Sequence, residues 1–310
     1  MWHTHFMEND EYLNTDKLDR LLEFAKETGT SQLFIVQGGN ILLDEVLEDE
    51  PVDVFAVQKG ILSLLMGIAE EKNLLEIIDP VNHHLAPEWT NLSPWDEAKL
   101  TIEILLNMKT GMDDDLHPLG TIDKTWRYNN TAYNYLKKIL CIHTGQTLND
   151  LSREWLFEPL GMANTQWVDR DQKLPDGTPF TGLESTARDL TRLGLLLLNQ
   201  GSAHGENIVP AHYLQQIAKP GSAENPAWGL CWWNNNHQHY RLPMREGKLR
   251  SGRFAPDAPE DLVAARGAFE NYLYIVPSHK LVIARTAGRP DRDEKRPAFE
   301  TEFWKLLHLI

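Results

Sequence analysis

The sequence predicts an α+β fold in which an antiparallel β-sheet is built from both ends of the chain and flanked by helices. Apolar segments with strand character occur near both ends, while segments with helical periodicity occupy the middle. The 310 residues suffice for one large domain or two closely packed ones. We therefore divide the chain into a sheet domain, residues 1–52 plus 205–310, and an inserted, mostly helical domain, residues 53–204.

The first fifty residues predict one helix followed by a β-hairpin. Residues Asp16 to Thr28 place apolar side chains on one helical face, and Gly29 is a typical helix stop. Two short apolar runs, Leu33 to Gln37 and Ile41 to Val46, flank Gly38-Gly39-Asn40, which is a hairpin signal. We expect these runs to be the first two strands of the sheet.

The middle of the chain is predominantly helical by its apolar periodicity. Thr186 followed by Asp189 resembles a helix capping box, with Asp shorter than the preferred Glu. The helices predicted in this region are Ala56 to Glu71, Glu97 to Asn107, Asn130 to Thr144 and Thr186 to Gln200. Together they would form the helical insertion that packs against the sheet.

The C-terminal region returns to strands and ends in a helix. The segments Tyr272 to Val276 and Leu281 to Arg285 flank a turn at Pro277 to Lys280, and Pro297 to Leu307 has helical periodicity. The polar stretch Glu246 to Glu260 is the best candidate for a long functional loop. These strands complete the sheet that the N-terminal hairpin begins.

The composition excludes several classes of function. With 30 basic and 45 acidic side chains, a net charge of −15 and no basic cluster, the chain predicts no nucleic-acid partner. Cys141 and Cys231 form no C-x-x-C pair, which favours buried thiols over a disulfide. The first six residues do not resemble a signal peptide, and no apolar stretch approaches the length of a membrane span. We expect a soluble, cytoplasmic protein without a membrane partner; its oligomeric state stays open.

Three short motifs, in chain order, carry the candidate chemistry. Lys59 follows Ala56 by one helical turn, so the two share a face. Tyr128-Asn129-Asn130 directly precedes a predicted helix, and Ala265-Arg266-Gly267 leads into the C-terminal strand pair. A serine at position 56 would need a base, for which Lys59 and Tyr128 both qualify. The main-chain N–H of residue 56 and one from residues 265–267 would form an oxyanion hole.

Each motif also has an ordinary structural explanation. Lysines are common on helices, Asn130 suits a helix N-cap, and Arg266 taken alone suits a surface cation. Asp113-Asp114-Asp115 with His117 suggests metal ligation, but without further spaced ligands an exposed acidic loop is favoured. We therefore predict no metal and no cofactor.

Five stretches in the same order resemble the serine β-lactamase-like family, which includes class C β-lactamases, D-alanyl-D-alanine carboxypeptidases, esterases and 6-aminohexanoate-dimer hydrolases. The resemblance spans about residues 30 to 287 and implies an acyl-enzyme mechanism. It gives Ala56 the place of the acyl-accepting serine, Lys59 that of the motif lysine, Tyr128 that of the proton-shuttling tyrosine and Asn130 that of its polar partner. The stretches are Asp53 to Ala69, Leu105 to Gly111, Tyr128 to Tyr133, Glu158 to Met162 and Ser185 to Leu190.

Two departures from the family pattern stand out. The first is Ala56, which lacks the attacking oxygen. The second is the strand motif, which reads Lys-Thr-Gly or similar in β-lactamases, whereas this chain has Ala265-Arg266-Gly267. A literal Lys109-Thr110-Gly111 precedes Tyr128 and therefore stands in the wrong order. The pattern resembles the esterase and amide-hydrolase branches more than the branch that binds β-lactams.

Three explanations for Ala56 compete: an engineered substitution, a natural loss of activity, or catalysis by another residue. Burying Lys59 beside Tyr128 is costly for a protein without catalytic use for it, which favours the first explanation. We predict a serine acyl hydrolase for a small ester or linear amide, here inactivated at position 56. The alternatives are a ligand-binding pseudoenzyme and an acyltransferase or peptide cyclase. Candidate walls for an apolar acyl group are Trp126, Trp228, Trp232 and Trp233.

Overall fold

The computed structural model describes residues 15–243, 247–290 and 298–307. The strands within these residues are β1 (Gln32–Gln37), β2 (Asn40–Val46), β3 (Val52–Asp53), β4 (Gln166–Lys173), β5 (Pro179–Ser185), β6 (Ser202–Ala203), β7 (Glu206–Asn207), β8 (Trp228–Gly229), β9 (Trp232–Asn234), β10 (His239–Arg241), β11 (Leu249–Ser251), β12 (Val263–Arg266), β13 (Tyr272–Val276) and β14 (Leu281–Thr286). The helices are α1 (Thr15–Glu27), α2 (Gln58–Glu71), α3 (Pro94–Glu97), α4 (Ile102–Leu106), α5 (Asn130–Thr144), α6 (Leu148–Ser152), α7 (Glu158–Leu160), α8 (Ala187–Leu198), α9 (Ala211–Ile217) and α10 (Phe299–Leu307).

Seven strands form one antiparallel sheet in the order β2-β1-β14-β13-β12-β9-β8. The N-terminal hairpin joins the C-terminal strands because β1 pairs with β14, with Phe34 opposite Ala284. On the other side β12 pairs with β13, with Ala265 opposite Leu273. The predicted α+β fold, with one antiparallel sheet built from both ends of the chain, is therefore confirmed.

Most predicted elements are confirmed within one or two residues. Helix α5 has the predicted bounds, and the side chain of Thr186 caps α8 by accepting a hydrogen bond from the Asp189 N–H at 3.2 Å. Helix α2 is preceded by a 3-10 turn, Phe55–Val57, so that the α-helix proper starts at Gln58. The predicted C-terminal helix is present as α10, while Pro297 lies outside the described residues.

The prediction of one helix from Glu97 to Asn107 is wrong. Helix α3 ends at Glu97, a turn follows at residues 98–99, and a second short helix, α4, begins only at Ile102. Thr101 forms an isolated β-bridge with Pro80, and its hydroxyl then accepts a hydrogen bond from the Ile104 N–H at 3.2 Å. Thr101 is therefore an N-cap, and its extended backbone interrupts the apolar periodicity that predicted a single helix.

Two helices contain a glycine at the point where their backbone lies against a neighbouring side chain. Gly194 of α8 lies against the sheet, where an added Cβ would be 2.4 Å from the Val282 side chain. Gly60 of α2 lies against the Trp232 ring, where an added Cβ would be 2.8 Å from the nearest ring carbon. Helix α8 thus packs on the sheet although the predicted division assigns it to the helical domain, and that division stays a prediction.

The two cysteines are both free thiols. Cys231 is buried and Cys141 is half-buried. No helix in the described part of the chain is long and apolar enough to cross a membrane.

Candidate functional site

Ala56 lies in the turn that leads into α2, beside the end of strand β12. The side chain of Ala56 is half-buried. Gly267 directly follows β12, and a Cβ there would be 2.2 Å from the carbonyl oxygen of Val54 and 3.3 Å from the main-chain nitrogen of Ala56. Only a glycine permits this approach, which brings the first and third predicted motifs together.

Lys59, in the first turn of α2, is buried and contacts the second motif. Its side chain is 3% exposed, and Nζ donates a hydrogen bond of 2.9 Å to Oδ1 of Asn130. Nζ also lies 3.6 Å from the ring centroid of Tyr133 and 5.0 Å from that of Tyr128. Among the described residues, no carboxylate lies within 4.0 Å of this nitrogen.

This environment changes the protonation of both candidate bases. Burial lowers the pKa of Lys59 from 10.5 to about 7, and the nearby Arg170 guanidinium acts in the same direction. Burial raises the pKa of the Tyr128 phenol well above its ordinary value, so this phenol keeps its proton at neutral pH. Lys59 is thus the group that can take up a proton near pH 7.

The structure corrects the explanation of Asn130 as a helix N-cap. The cap of α5 is Asn129, which is fully buried and accepts a hydrogen bond from the Ala132 N–H at 2.9 Å. Asn130 is the first residue of the helix, and its exposed side chain is used instead to bind Lys59. Asn129 therefore caps the helix, and Asn130 binds Lys59.

A second buried lysine, which sequence reasoning missed, lies two turns along α5. Lys137 Nζ donates hydrogen bonds to Gln58 Oε1 at 2.6 Å, Asn134 Oδ1 at 3.0 Å and the Thr181 carbonyl at 2.7 Å. It also lies 5.0 Å from the Tyr133 ring centroid, and burial together with the charge of Lys59 lowers its pKa. The sequence spacing could have predicted it, because residues 130, 133, 134 and 137 of α5 share one helical face, which places Lys137 on the same side as Asn130.

Arg266, whose main chain belongs to the predicted oxyanion-hole segment, directs its side chain toward the C-terminal helix. Its guanidinium forms an ion pair with Glu300 of α10 and lies 4.6 Å from the ring centroid of Phe254. The same carboxylate accepts a hydrogen bond of 2.6 Å from the Tyr274 hydroxyl. Arg266 therefore links β12 to the C-terminal helix, while the approach of this segment to residue 56 is made by Gly267.

The four tryptophans proposed as acyl-group walls belong to the core. All are 3% exposed or less, and Trp228 is in ring contact with both Trp126 and Tyr128, at 6.2 and 5.7 Å between centroids. Trp228 therefore packs against the ring of Tyr128, and Trp126 packs against Trp228.

The two motif-like segments outside this site have local structural roles. Lys109 of the literal Lys-Thr-Gly sequence forms an ion pair with Asp123 at 2.7 Å. The Asp113 carboxylate accepts hydrogen bonds from the main-chain N–H groups of Asp115 and His117 at 3.0 and 2.8 Å.

Comparison with known proteins identifies the family. A family model described as Beta-lactamase matches residues 18–301. The unguisins hydrolase ungD' of Aspergillus campestris is 27% identical over 134 residues, which cover 36% of this chain and 25% of that protein. The matched region therefore spans about a quarter of that relative.

Solved structures agree on the fold. The D-alanine carboxypeptidase AmpC of Burkholderia cenocepacia superposes with a TM-score of 0.67 at 18% identity, covering 95% of this chain and 98% of that one. A class C beta-lactamase of Rhodobacter sphaeroides superposes with a TM-score of 0.64, also at 18% identity, covering 96% and 99%. At such identities the likeness establishes the architecture alone.

Proposed function

Because the chain belongs to the beta-lactamase family, whose members listed above include hydrolases, we propose that its site is an acyl-transfer site for a small ester or a linear amide. Residue 56 is the acyl-accepting position, and Lys59 is the base that serves it. The observation that carries the proposal is the buried Lys59 amine, held by Asn130 and two tyrosine rings with no carboxylate partner in the described part of the chain.

The protonation of Lys59 suits a general base. A pKa of about 7 leaves roughly half of the amine neutral at neutral pH, which is the range in which general bases work best. The neutral amine would accept the proton of a hydroxyl at position 56 while that oxygen attacks the substrate carbonyl. The resulting ammonium would then return the proton to the leaving alcohol or amine.

Tyr128 fits the role of a proton donor better than that of a base. Its raised pKa keeps the phenol protonated, and its ring lies beside the Lys59 amine. A protonated phenol at this point can donate a hydrogen bond to the leaving group or relay a proton to it.

The oxyanion is best stabilised by the main chain. Residue 56 lies in the 3-10 turn that precedes α2, and Gly267 brings the end of β12 against its nitrogen. The Gly267 N–H is already donated to the Asn271 carbonyl at 2.8 Å, so the oxyanion would be bound by the N–H of residue 56 with a second one from Ala265 or Arg266. Main-chain N–H groups fixed by a turn and a strand end are oriented before charge develops on the carbonyl oxygen, which is what an oxyanion hole requires.

With alanine at position 56, the serine route cannot proceed, because no oxygen is present to carry the acyl group. The chain would then bind its ester or amide without cleaving it by this route. Ala56 itself favours the second candidate function, a ligand-binding protein that uses the same site.

The direct test is Ala56→Ser. We expect this variant to release a burst of p-nitrophenol from p-nitrophenyl acetate and to gain the mass of one acetyl group, whereas the unaltered chain does neither. Adding Lys59→Met should abolish the burst, while adding Lys26→Met, which replaces an exposed lysine of α1, should leave it intact. If the serine variant neither acylates nor turns over any ester or amide in a panel, the proposal is wrong.

Tyr128→Phe in the Ala56→Ser background tests the proton donor. We expect acylation to slow by about 10²-fold or more, because general acid–base groups typically contribute 10²–10⁴-fold. Single-turnover acylation rates give the measurement, and an unchanged rate would remove Tyr128 from the mechanism.

A further inference from the structure

Two phenylalanines adopt left-handed backbone conformations on the two segments that meet at residue 56. Phe55 directly precedes Ala56 and has φ 51°, and Phe269, two residues after Gly267, has φ 57°. Bulky side chains rarely occupy this region. Eleven other non-glycine residues of the described chain also have a positive φ, so the two phenylalanines are distinguished by their place on either side of residue 56 rather than by backbone strain alone.

The two rings are in direct contact across the junction. Their centroids are 5.0 Å apart in an edge-to-face arrangement. Asp53 holds the Phe55 side of the pair, because its Oδ1 accepts a hydrogen bond of 2.8 Å from the Phe55 N–H. The same carboxylate binds Arg170, whose guanidinium lies 5.4 Å from the Phe55 ring centroid. Phe55 is thus fixed in place by its neighbours.

Core packing does not explain the pair. Phe269 is 37% exposed, and both Phe55 and Ala56 are half-buried. The Arg289 guanidinium lies 5.8 and 5.7 Å from the centroids of the Phe55 and Phe269 rings, so it covers part of the pair, and the remaining exposed apolar surface lies on the two segments that meet at residue 56. A strained, anchored and partly exposed aromatic pair at this place is what a binding wall for an apolar group needs.

We propose that Phe55 and Phe269 form the subsite for an apolar acyl group, with an aryl ring as the best fit, in the ester or amide whose carbonyl lies at residue 56. An aryl group would extend the edge-to-face arrangement that the two rings already have. This inference rests on the proposed acyl-transfer function, and it names the substrate class: esters or amides of aryl-substituted acids such as phenylacetic acid.

Binding to the unaltered chain gives the first test, since alanine at position 56 leaves the ligand intact. Ligand-observed NMR titrations would compare N-phenylacetyl-glycinamide with N-acetyl-glycinamide. We expect the phenylacetyl compound to bind at least about tenfold more tightly, and Phe269→Gly to remove this preference. Ile142→Ala is the control, because it also removes an exposed apolar side chain but far from the site. Ile142 lies on α5 twelve residues after Asn130, which is about 18 Å along the helix.

Phe269→Gly separates binding from folding. Glycine accepts a positive φ without strain, so this variant should unfold at the same or a higher urea concentration than the unaltered chain. Phe269→Tyr should restore the preference for the phenylacetyl compound. Equal binding of both compounds by the unaltered chain, or a preference that survives Phe269→Gly, would overturn the proposal.

Kinetics in the Ala56→Ser background distinguish this inference from the proposed function. The ratio of kcat/KM for p-nitrophenyl phenylacetate over p-nitrophenyl acetate should fall about tenfold when Phe269→Gly is added. If the serine variant is inactive while the binding preference persists, the acyl-transfer proposal fails and the aryl subsite stands. If the variant is active but the ratio does not change, the subsite is wrong.

Discussion

Lys59→Met should stabilise the protein at neutral pH, because the native chain keeps an amine where water cannot hydrate its charge. The Lys59 side chain is 3% exposed and its pKa is lowered to about 7. Methionine has a similar length and fills the space between the tyrosine rings without a charge. The partner left behind, Asn130, is exposed and can bind water instead, so the substitution leaves no buried polar group unsatisfied.

The magnitude and its dependence on pH follow from linkage. An unfolded chain binds the Lys59 proton with a pKa of 10.5 and the folded chain with a pKa of about 7. Between these values the unfolded state binds more protons, so the stability of the unaltered chain rises with pH by up to about 1.4 kcal/mol per pH unit. The destabilisation due to this lysine is about 4 kcal/mol at pH 7, about 2 kcal/mol at pH 9 and nearly absent above pH 10.5.

Urea unfolding followed by tryptophan fluorescence provides the assay. The free energy of unfolding of Lys59→Met should exceed that of the unaltered chain by several kcal/mol at pH 7, and the excess should shrink by about 2 kcal/mol at pH 9. Lys26→Met, an exposed control on α1, should change the free energy by less than about 0.5 kcal/mol at either pH. An excess of the same size at both pH values would refute the assignment of Lys59 as a buried, weakly basic amine.

Three further predictions test other contacts. Gly267→Ala should destabilise the chain by about 1–3 kcal/mol in urea, because the new methyl group would meet the Val54 carbonyl at 2.2 Å; unchanged stability would mean that the two segments separate easily. Glu300→Gln should cost about 3 kcal/mol of unfolding free energy, since it leaves the Arg266 cation without its anion, and it should not change acylation by Ala56→Ser if Arg266 is structural rather than substrate-binding. Burial raises the pKa of Cys231 to about 12, so this thiol should react with a disulfide reagent at pH 8 only after urea is added, and fast labelling of the native chain would contradict its burial.

The sequence predicted those parts of the fold in which local and tertiary preferences agree. Helix α5 begins and ends where its apolar periodicity predicted, and the Gly38-Gly39 turn joins β1 to β2 as expected. The segment from Glu97 to Asn107 failed because Thr101 pairs with Pro80, a contact between distant residues that periodicity does not report.

The site was predictable as a set of motifs but not as a set of contacts. The order of the motifs predicted from the sequence alone that Ala56, Lys59 and Asn130 belong to one site. Which of two adjacent asparagines caps the helix depends on the backbone at its first turn, and the periodicity of α5 leaves that choice open. The direction of the Arg266 side chain depends on Glu300, which is 34 residues away in the sequence and belongs to α10.

The sheet order also constrains how the molecule is made. Strand β1 pairs on one side with β14, about 250 residues later, so this pairing cannot form until β14 has left the ribosome. During synthesis the β1–β2 hairpin therefore exposes the edge of β1 that later pairs with β14, while the helices between these strands can already form. A nascent chain arrested before β14 should accordingly bind chaperones more strongly than one arrested after it.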